Sequence, residues 1–223
     1  MSQQITALSL PMPMRMGNVN CYLLHSEAGF FLIDTGSSSA RKQLLSELAN
    51  AGCIPGSLRL VLLTHGDFDH TGNASYLRSS FGTKLAMHRA DSGMGESGDM
   101  FENRKKPNVI IRTLIPVFTG FRESERFTPD LLLEDGDDLS PHGLDARVLS
   151  LPGHSKGSIG ILTAEGDLFC GDLFENTKGP ALNSLMDDPD AARVSVAVLQ
   201  SYKTRFVYPG HGEPFALEEL AIK

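Results

Sequence analysis

Short apolar runs separated by turn residues occupy the first third of the chain. They predict β-strands, with Glu27-Ala28-Gly29 as the hairpin turn between two of them. Leu44, Leu45 and Leu48 recur at helical spacing instead, and they predict a helix over residues 38–50. The strands predicted here are 5–10, 19–25, 30–33 and 58–63. The last of these is apolar over most of its length, which is the pattern of a strand covered on both faces.

The second half of the chain repeats this alternation of strands and helices. Helices are predicted at 73–81 and 191–202, and strands at 84–87, 147–151, 158–162, 168–170 and 205–207. Because the opening hairpins are not strand–helix–strand units, a purely parallel sheet is not expected. A mixed sheet, or two sheets with helices outside them, fits the order of elements better.

One long segment departs from this alternation. Residues 89–133 begin with a stretch rich in glycine and methionine, and they interrupt the strands for longer than an ordinary loop. We interpret the segment as a lid-like excursion over an active-site mouth, although a variable surface segment would look similar. The chain shows no internal repeat, low-complexity tract or Ser/Pro-rich linker, so residues 1–223 are predicted to form a single domain.

Composition narrows the classes of partner. Acidic residues number 27 against 20 basic ones, a net charge of −7, which disfavours nucleic acid as a principal partner. The unbroken apolar stretches fall far short of the roughly 20 residues that cross a bilayer, so no membrane association is expected. The three cysteines are scattered and odd in number, which favours free, buried thiols and a cytoplasmic location. A small-molecule substrate is the partner that remains.

The strongest chemical signal follows the apolar strand at 58–63. Two histidines and two aspartates, His65, Asp67, Asp69 and His70, fall within six positions there. A strand end delivers side chains into a crevice, where open α/β sheets place their sites. Imidazole and carboxylate are the usual ligands of Zn²⁺ and of harder ions such as Fe²⁺ and Mn²⁺, and burying these groups without a metal would be costly.

Three further fragments place a polar residue where a predicted strand passes into a loop. They are Pro152-Gly153-His154, Cys170-Gly171-Asp172 and Pro209-Gly210-His211. Each alone would be an ordinary turn residue. Together they supply two more histidines and one more aspartate, which are the residue types of the first cluster. This indicates a single metal centre assembled from several strand ends.

In order and spacing these residues resemble the signature of the metallo-β-lactamase superfamily, Thr-His-x-His-x-Asp-His followed by Gly-His, Gly-Asp and a last Gly-His. The early Asp34-Thr35-Gly36 also matches that family's Asp-x-Gly. The resemblance covers nearly the whole chain and implies a four-layer αββα sandwich of two mixed β-sheets with two divalent metal ions, most commonly zinc. The implied ligands are His65, residue 67 and His154 at a first ion, Asp69, His70 and His211 at a second, and Asp172 bridging both.

Residue 67 departs from that signature, because it is Asp where the family usually has His. A carboxylate adds a negative charge and shifts preference toward harder ions, so iron or manganese becomes plausible beside zinc. Alternate residues 65, 67 and 69 of one extended segment face the same side, so we expect Asp67 to remain a metal ligand. Loss of the first metal site is the alternative.

The resemblance implies hydrolysis by a metal-bridging hydroxide, with Asp69 orienting that hydroxide or accepting its proton as the catalytic residue. The expected substrate is a small-molecule ester, thioester, lactone or phosphoester. The alternatives are a non-haem iron oxidoreductase resembling the persulfide dioxygenases on the same fold, and a non-catalytic metal-binding module. The second is disfavoured because no ligand position holds an inert residue.

Other polar residues carry weaker expectations. Asp34 could accept a hydrogen bond from a ligand histidine, or it could be an ordinary turn aspartate. His88 ends a predicted strand and could support the site, face substrate or be purely structural. The basic run from Arg104 to Lys106 could meet an anionic substrate, but a solvated face is the commoner role of such a run. His25 and His142 are expected to be surface residues.

Overall fold

Twelve strands and five helices make up the part of the chain that our computed structural model describes, which is residues 4–102, 104 and 123–220. The strands are β1 (Gln4–Pro11), β2 (Asn18–Ser26), β3 (Gly29–Ile33), β4 (Leu58–Leu63), β5 (Lys84–His88), β6 (Leu131–Leu133), β7 (Ala146–Ser150), β8 (Ile159–Thr163), β9 (Asp167–Asn176), β10 (Ala181–Leu182), β11 (Phe206–Gly212) and β12 (Phe215–Ala216). The helices are α1 (Arg41–Asn50), α2 (Phe68–Thr71), α3 (Ala74–Phe81), α4 (Arg89–Ser97) and α5 (Pro189–Leu199). None of these helices has the length and apolar character needed to cross a bilayer.

The strands form two sheets, and both are mixed. The first has the order β1-β2-β3-β4-β5-β6, antiparallel from β1 to β3 and parallel from β3 to β6. The second has the order β12-β11-β9-β8-β7, with β10 paired to β9. In it only β9 and β11 run parallel to each other. The prediction of two mixed sheets with helices outside them is confirmed.

Strand β4 shows how the layers are held together. Leu60 and Leu62 belong to the apolar cluster between the two sheets, whereas Val61 and Leu63 belong to the cluster under α1 and α3. Side chains alternate along a strand, so the unbroken apolar run from Leu60 to Leu63 fills both layers at once. A third cluster packs α5 against the outer face of the second sheet. The order of layers is therefore helices, sheet, sheet, helix.

The sequence predicted that the metal-motif residues lie at strand ends, but in the structure not all of them do. Asp172 lies inside β9 and His211 inside β11, whereas His65 and His154 do follow strands. The pairing of β9 with β11 shifts register at Pro209 and again before His211. Such irregularities bend a strand and redirect its side chains, which is how residues inside a sheet come to face a site at its edge.

The carbonyl groups freed by this irregularity are satisfied by the other sheet. Asn20 of β2 donates to the carbonyl oxygens of Pro209 (3.1 Å) and Gly212 (2.6 Å), and the Tyr22 hydroxyl donates to that of Pro209 (2.7 Å). Buried carbonyls need such partners when they leave the ladder. The two sheets are thus joined by hydrogen bonds beside His211 as well as by their apolar faces.

The segment predicted as an excursion is regular at both of its ends. Residues 89–97 form α4, and Leu131–Leu133 adds the parallel strand β6 to the first sheet. The glycines in α4 allow close packing: a Cβ on Gly95 would lie 2.7 Å from Cζ of the buried Phe127. Met94, also on α4, is buried. Residues 103 and 105–122 lie outside the described residues, so a lid remains a prediction there.

Candidate metal centre

The loop after β4 folds back on itself to present its polar residues inward. His65 follows the strand, Asp67 occupies the position before α2, and Asp69 and His70 lie on that short helix. All four are buried, with 7% or less of each residue exposed. Gly66 lies between them without a side chain, and a Cβ there would come within 2.7 Å of Cβ of Met94 on α4. The loop is therefore pressed against α4 and fixed in its inward orientation.

Six of the seven predicted ligands come together in two groups. The first group is His65, His154 and Asp172, and the second group is Asp69, His70 and His211. Within each group the candidate ligand atoms all lie within 4.8 Å of one another, a spacing at which they could hold a metal ion. The two groups adjoin, because the rings of His65 and His70 have centroids only 4.0 Å apart.

Asp172 faces both groups. One of its carboxylate oxygens, Oδ1, is 3.3 Å from Nε2 of His70. The other, Oδ2, is 3.5 Å from Nε2 of His211 and 3.9 Å from Nε2 of His154. Asp172 is itself buried. This position between the groups is the one that a bridging carboxylate would occupy.

The four histidines share one orientation, which is set by what each ring's Nδ1 contacts. Nδ1 of His154 lies 2.6 Å from the Leu185 carbonyl oxygen, and Nδ1 of His211 lies 2.8 Å from that of Asn18. A carbonyl only accepts, so both Nδ1 atoms carry a hydrogen, and Nε2 is the ring atom that remains for a metal ion once its own proton is displaced. Protein groups that hold a ligand histidine in this way fix its tautomer and its direction.

Asp34 does the same for the other two histidines. It accepts hydrogen bonds from Nδ1 of His70 (2.8 Å) and from the Thr64 hydroxyl (2.8 Å). That hydroxyl is in turn 3.0 Å from Nδ1 of His65. Asp34 is buried and adopts a φ of +58°, a strained conformation for this residue type. The prediction that Asp34 supports a ligand histidine therefore agrees with its contacts.

Unsatisfied buried atoms indicate that an ion fits here. Nε2 of His65, Nε2 of His70 and Oδ1 of Asp172 are buried, and within the described residues none has a hydrogen-bond partner. His70 and Asp172 approach to 3.3 Å without the alignment of a hydrogen bond. Buried polar atoms are rarely left unpaired, because this costs about 1–3 kcal/mol each. Nitrogen and carboxylate donors converging in this way suit zinc, iron or manganese.

The charges of the cluster are strongly coupled. Burial lowers the pKa of His65 well below its ordinary value, and the neighbouring His70 and His154 lower it further. At His211, burial opposes protonation, but Asp172 outweighs it and raises the pKa to about 10. At His154, burial also opposes protonation, but the hydrogen bond and charge of Asp67 together with the charge of Asp172 outweigh it and raise the pKa to about 9. Metal ligation requires neutral imidazole, so an ion entering this cluster would displace protons from it.

Asp67, the seventh predicted ligand, lies beside the first group but is shared with a cation. Its Oδ2 is 3.0 Å from Nε2 of His154 and 3.7 Å from Nε2 of His65. Its Oδ1 accepts a hydrogen bond from Arg104 at 2.6 Å. Sequence reasoning named both residues but could not pair them, since they are separated by 37 positions and the contact depends on the fold.

Asp91 is a supporting residue that the sequence did not single out. Its carboxylate is completely buried and accepts hydrogen bonds from the Gly66 amide, the Ser155 hydroxyl and the Gly157 amide, at 3.2, 2.6 and 2.7 Å. It therefore ties the loop that carries His65 to the loop that carries His154. An aspartate on a helix has no sequence signature for this role.

The weaker sequence candidates lie elsewhere. His88 accepts a hydrogen bond from the Ala90 amide through Nδ1 and so caps α4, a structural role. His25 stacks on Phe30, and His142 is exposed on the surface. Of the basic run, Arg104 turns inward to Asp67, whereas Lys105 and Lys106 lie outside the described residues.

Gly210 provides a test of how tightly the centre is packed. A Cβ at this position would lie 2.7 Å from Cε1 of His70 and closer still to Oδ1 of Asp172. We therefore expect Gly210→Ala to push both residues out of position and to weaken metal retention by at least the roughly 10–100-fold typical of a lost supporting contact. Elemental analysis of the purified variant measures the retained metal.

Gly82→Ala is the matched control for this prediction. Gly82 has a φ of +69° at the end of α3, and a Cβ there meets nothing within 4 Å. The alanine costs about 1–2 kcal/mol of backbone strain without approaching the centre. It should keep the full metal content. Equal loss of metal in both variants would mean that general destabilisation, and not displacement of the ligands, is responsible.

Known proteins resemble this chain in sequence and in fold. The sequence model of the metallo-beta-lactamase superfamily matches residues 14–211. Hydroxyacylglutathione hydrolase GloC of Haemophilus influenzae is 31% identical over 157 residues, which are 69% of this chain and 66% of that protein. Acyl-coenzyme A thioesterase MBLAC2 of Homo sapiens is 28% identical over 177 residues, 72% of this chain and 58% of that protein. The chain spans about half to two thirds of the length of the curated relatives it matches.

A solved structure of similar sequence agrees in fold. The structure of TTHA1623 in a di-iron-bound form superposes with a TM-score of 0.69 at 28% identity, covering 93% of this chain and 94% of that one. A protein of this fold can therefore hold two iron ions.

Proposed function

Because the chain belongs to the metallo-β-lactamase superfamily, we propose that it is a metal-dependent hydrolase of a small-molecule substrate. The observation that carries the proposal is the convergence of four Nε2 atoms on Asp172, each histidine being held through its Nδ1. When bound there, divalent ions lower the pKa of a water molecule and polarise the scissile carbonyl or phosphoryl group. A catalyst of this kind needs no serine or cysteine nucleophile.

The protein's own residues would position the metal ions and the attacking water, and they would exclude bulk water from the centre. Asp172 lies between the two groups and would fix the separation of two ions. Asp69 has its Oδ2 3.5 Å from Nε2 of His211 and 3.9 Å from Nε2 of His70, and only 7% of its side chain is exposed. A carboxylate at this point can orient an attacking water or accept its proton, so we assign Asp69 as the catalytic base.

The open side of the centre is marked by His211. Its side chain is 17% exposed, whereas those of His65 and His70 are fully buried. Substrate would therefore approach past His211, and the buried side of the centre would exclude bulk water. Exclusion of water strengthens the electrostatic interactions on which such a site depends.

Among the possible substrates we favour a thioester. A relative that matches 72% of the chain is named an acyl-coenzyme A thioesterase, and another that matches 69% is a hydroxyacylglutathione hydrolase. Zinc and iron are the metals that we propose first, since the donor atoms suit both and the di-iron-bound structure has the same fold. We also propose that its partner is a small-molecule substrate, and not nucleic acid or a membrane.

A substrate screen tests the proposal. The full chain, loaded separately with zinc, iron or manganese, is assayed against an acyl-coenzyme A, a hydroxyacylglutathione, an oxygen ester, a lactone and a phosphodiester. We expect turnover of a thioester that depends on added metal and stops when a chelator removes it. Oxygen consumption by the iron-loaded protein when a thiol persulfide is added, with no hydrolysis of any compound in the panel, would favour the iron oxidoreductase instead. Inactivity with every substrate despite bound metal would favour a non-catalytic module.

A further inference from the structure

Arg104 is the one cation in the described residues that enters the candidate metal centre from outside both groups. Its side chain is only 7% exposed. One terminal nitrogen, NH1, donates to Oδ1 of Asp67 at 2.6 Å, and the other, NH2, donates to the carbonyl oxygen of His154 at 3.2 Å. Nε lies 2.7 Å from Oδ2 of Asp187, without the alignment of a hydrogen bond. The guanidinium therefore contacts the side chain of one predicted ligand, Asp67, and the backbone of another, His154.

Asp67 is diverted from its ordinary local role by these contacts. It occupies the N-cap of α2, where an aspartate usually accepts a hydrogen bond from the helix. Here its side chain makes no capping bond. One carboxylate oxygen is instead held by Arg104, and the other points at Nε2 of His154. The pair is buried, so the charge of Asp67 is balanced by His154 and Arg104 and not by solvent.

We propose that Arg104 is a positioning residue that holds Asp67 as an ion pair and thereby weakens metal binding at the first group. Two consequences of its placement lead to this. A fixed positive charge one carboxylate away from His65 and His154 repels a divalent cation. The same charge also offsets the negative charge of the Asp67 carboxylate, whose other oxygen, Oδ2, still faces His154 and His65, and so reduces the preference for harder ions. The inference rests on the metal centre proposed above, and it makes the first group the weaker of the two.

The proposal changes the effect that the aspartate at position 67 is expected to have on metal preference. By itself an aspartate in place of histidine adds a negative charge to the first group. The Asp67–Arg104 pair by itself has no net charge, as a neutral histidine has none, and the negative charge of Asp187 beside Nε of Arg104 is weakened by solvent because that side chain is 43% exposed. The substitution and the arginine would then act together, and neither residue alone would set the metal preference of the site.

The test is a metal titration of the full chain after removal of bound metal, with zinc or manganese alone competing against a chromophoric chelator. It is done in a His211→Ala background, where only the first group keeps all its residues, so that one dissociation constant is measured. We expect Arg104→Met to tighten manganese and zinc binding by at least about tenfold, because a unit positive charge is removed beside a buried divalent site. Manganese should gain more than zinc, because the negative charge of the Asp67 carboxylate is no longer offset by Arg104.

Three further variants make the result specific. Arg104→Lys keeps the charge and should remain within about threefold of the parent. Arg104→Gln removes the charge but can still donate to Asp67, and it serves if the methionine variant fails to fold. Arg205→Met removes an exposed arginine that pairs with the buried Asp167, outside both groups, and should leave metal binding unchanged. Tighter metal binding in Arg104→Met or Arg104→Gln, without tighter binding in Arg104→Lys and Arg205→Met, supports the proposal.

Unchanged or weaker metal binding in folded Arg104→Met and Arg104→Gln would overturn the proposal and leave the metal centre intact. In that case Arg104 would be a structural clamp. If the parent protein with His211 restored binds no divalent metal at all, the proposed function and this inference both fail. The two failures are therefore distinguishable by the parent protein alone.

Discussion

Replacing Asp172 with alanine is expected to lower turnover by at least about 10²–10³-fold, the loss typical of removing one direct contact to the reacting centre. Asp172 lies 3.3 Å from Nε2 of His70 and 3.5 Å from Nε2 of His211, and it also belongs to the first group. Its loss removes a ligand from each group and the element that fixes their separation. Turnover of any hydrolysed substrate, together with metal content, is the measurement.

His88→Ala is the matched comparison for Asp172→Ala. His88 caps α4 through the Ala90 amide and makes no contact with either group. Loss of a helix cap costs about 0.5–2 kcal/mol of stability, without a direct effect on chemistry. We expect its turnover to stay within about tenfold of the parent value. A His88 variant that is the weaker enzyme would show that the centre is not where we place it.

The largest effect on stability is expected at Asp34. Its carboxylate is buried and accepts from the Thr64 amide at 2.9 Å, the Thr64 hydroxyl at 2.8 Å and Nδ1 of His70 at 2.8 Å. Asp34→Ala would leave these donors buried without an acceptor, at about 1–3 kcal/mol each. We expect the free energy of unfolding to fall by about 3–5 kcal/mol, measured by urea denaturation of chelator-treated protein.

An exposed aspartate provides the control for Asp34. Asp145 lies on the surface before β7. Its replacement by alanine should change the free energy of unfolding by no more than about 0.5 kcal/mol. Asp34→Asn should fall between the two, because the amide keeps one acceptor oxygen but not two. If Asp34→Ala and Asp145→Ala lose the same stability, the hydrogen bonds of Asp34 contribute nothing to the fold.

The layers of this fold could be predicted because each follows from a local pattern. The run at 58–63 is apolar on both faces, and it became the central strand β4 with Leu60 and Val61 in different layers. The leucines of α1 recur at helical spacing and pack on the same cluster as Val61. The two- and three-residue strands β6, β10 and β12 are too short to leave such a pattern, and they were missed.

The candidate site was predictable as a set of residues but not as a geometry. Spacing indicated His65, Asp69, His70, His154, Asp172 and His211, and the structure brings these six together. It could not show that β9 and β11 shift register so that Asp172 and His211 face inward from inside strands. Nor could it show that Arg104 reaches Asp67, because a contact across 37 positions is decided by tertiary packing.

The charge of the centre illustrates the same limit. From the sequence, Asp67 adds an uncompensated negative charge and favours a harder metal. In the structure its Oδ1 is held at 2.6 Å by Arg104, so the charge is paired before any metal arrives. A residue type can be assigned from the sequence, but its effective charge depends on a neighbour that only the fold supplies.

Metal stoichiometry tests the central claim most directly. The full chain is purified without chelator and analysed for zinc, iron and manganese, together with His70→Ala and His88→Ala. We predict about two divalent ions per chain in the parent and in His88→Ala, and about one fewer in His70→Ala, since His70 is fully buried with Nε2 directed at Asp172. A parent protein with a stoichiometry near zero, or a His70→Ala variant that keeps the parent's metal content, would contradict the account.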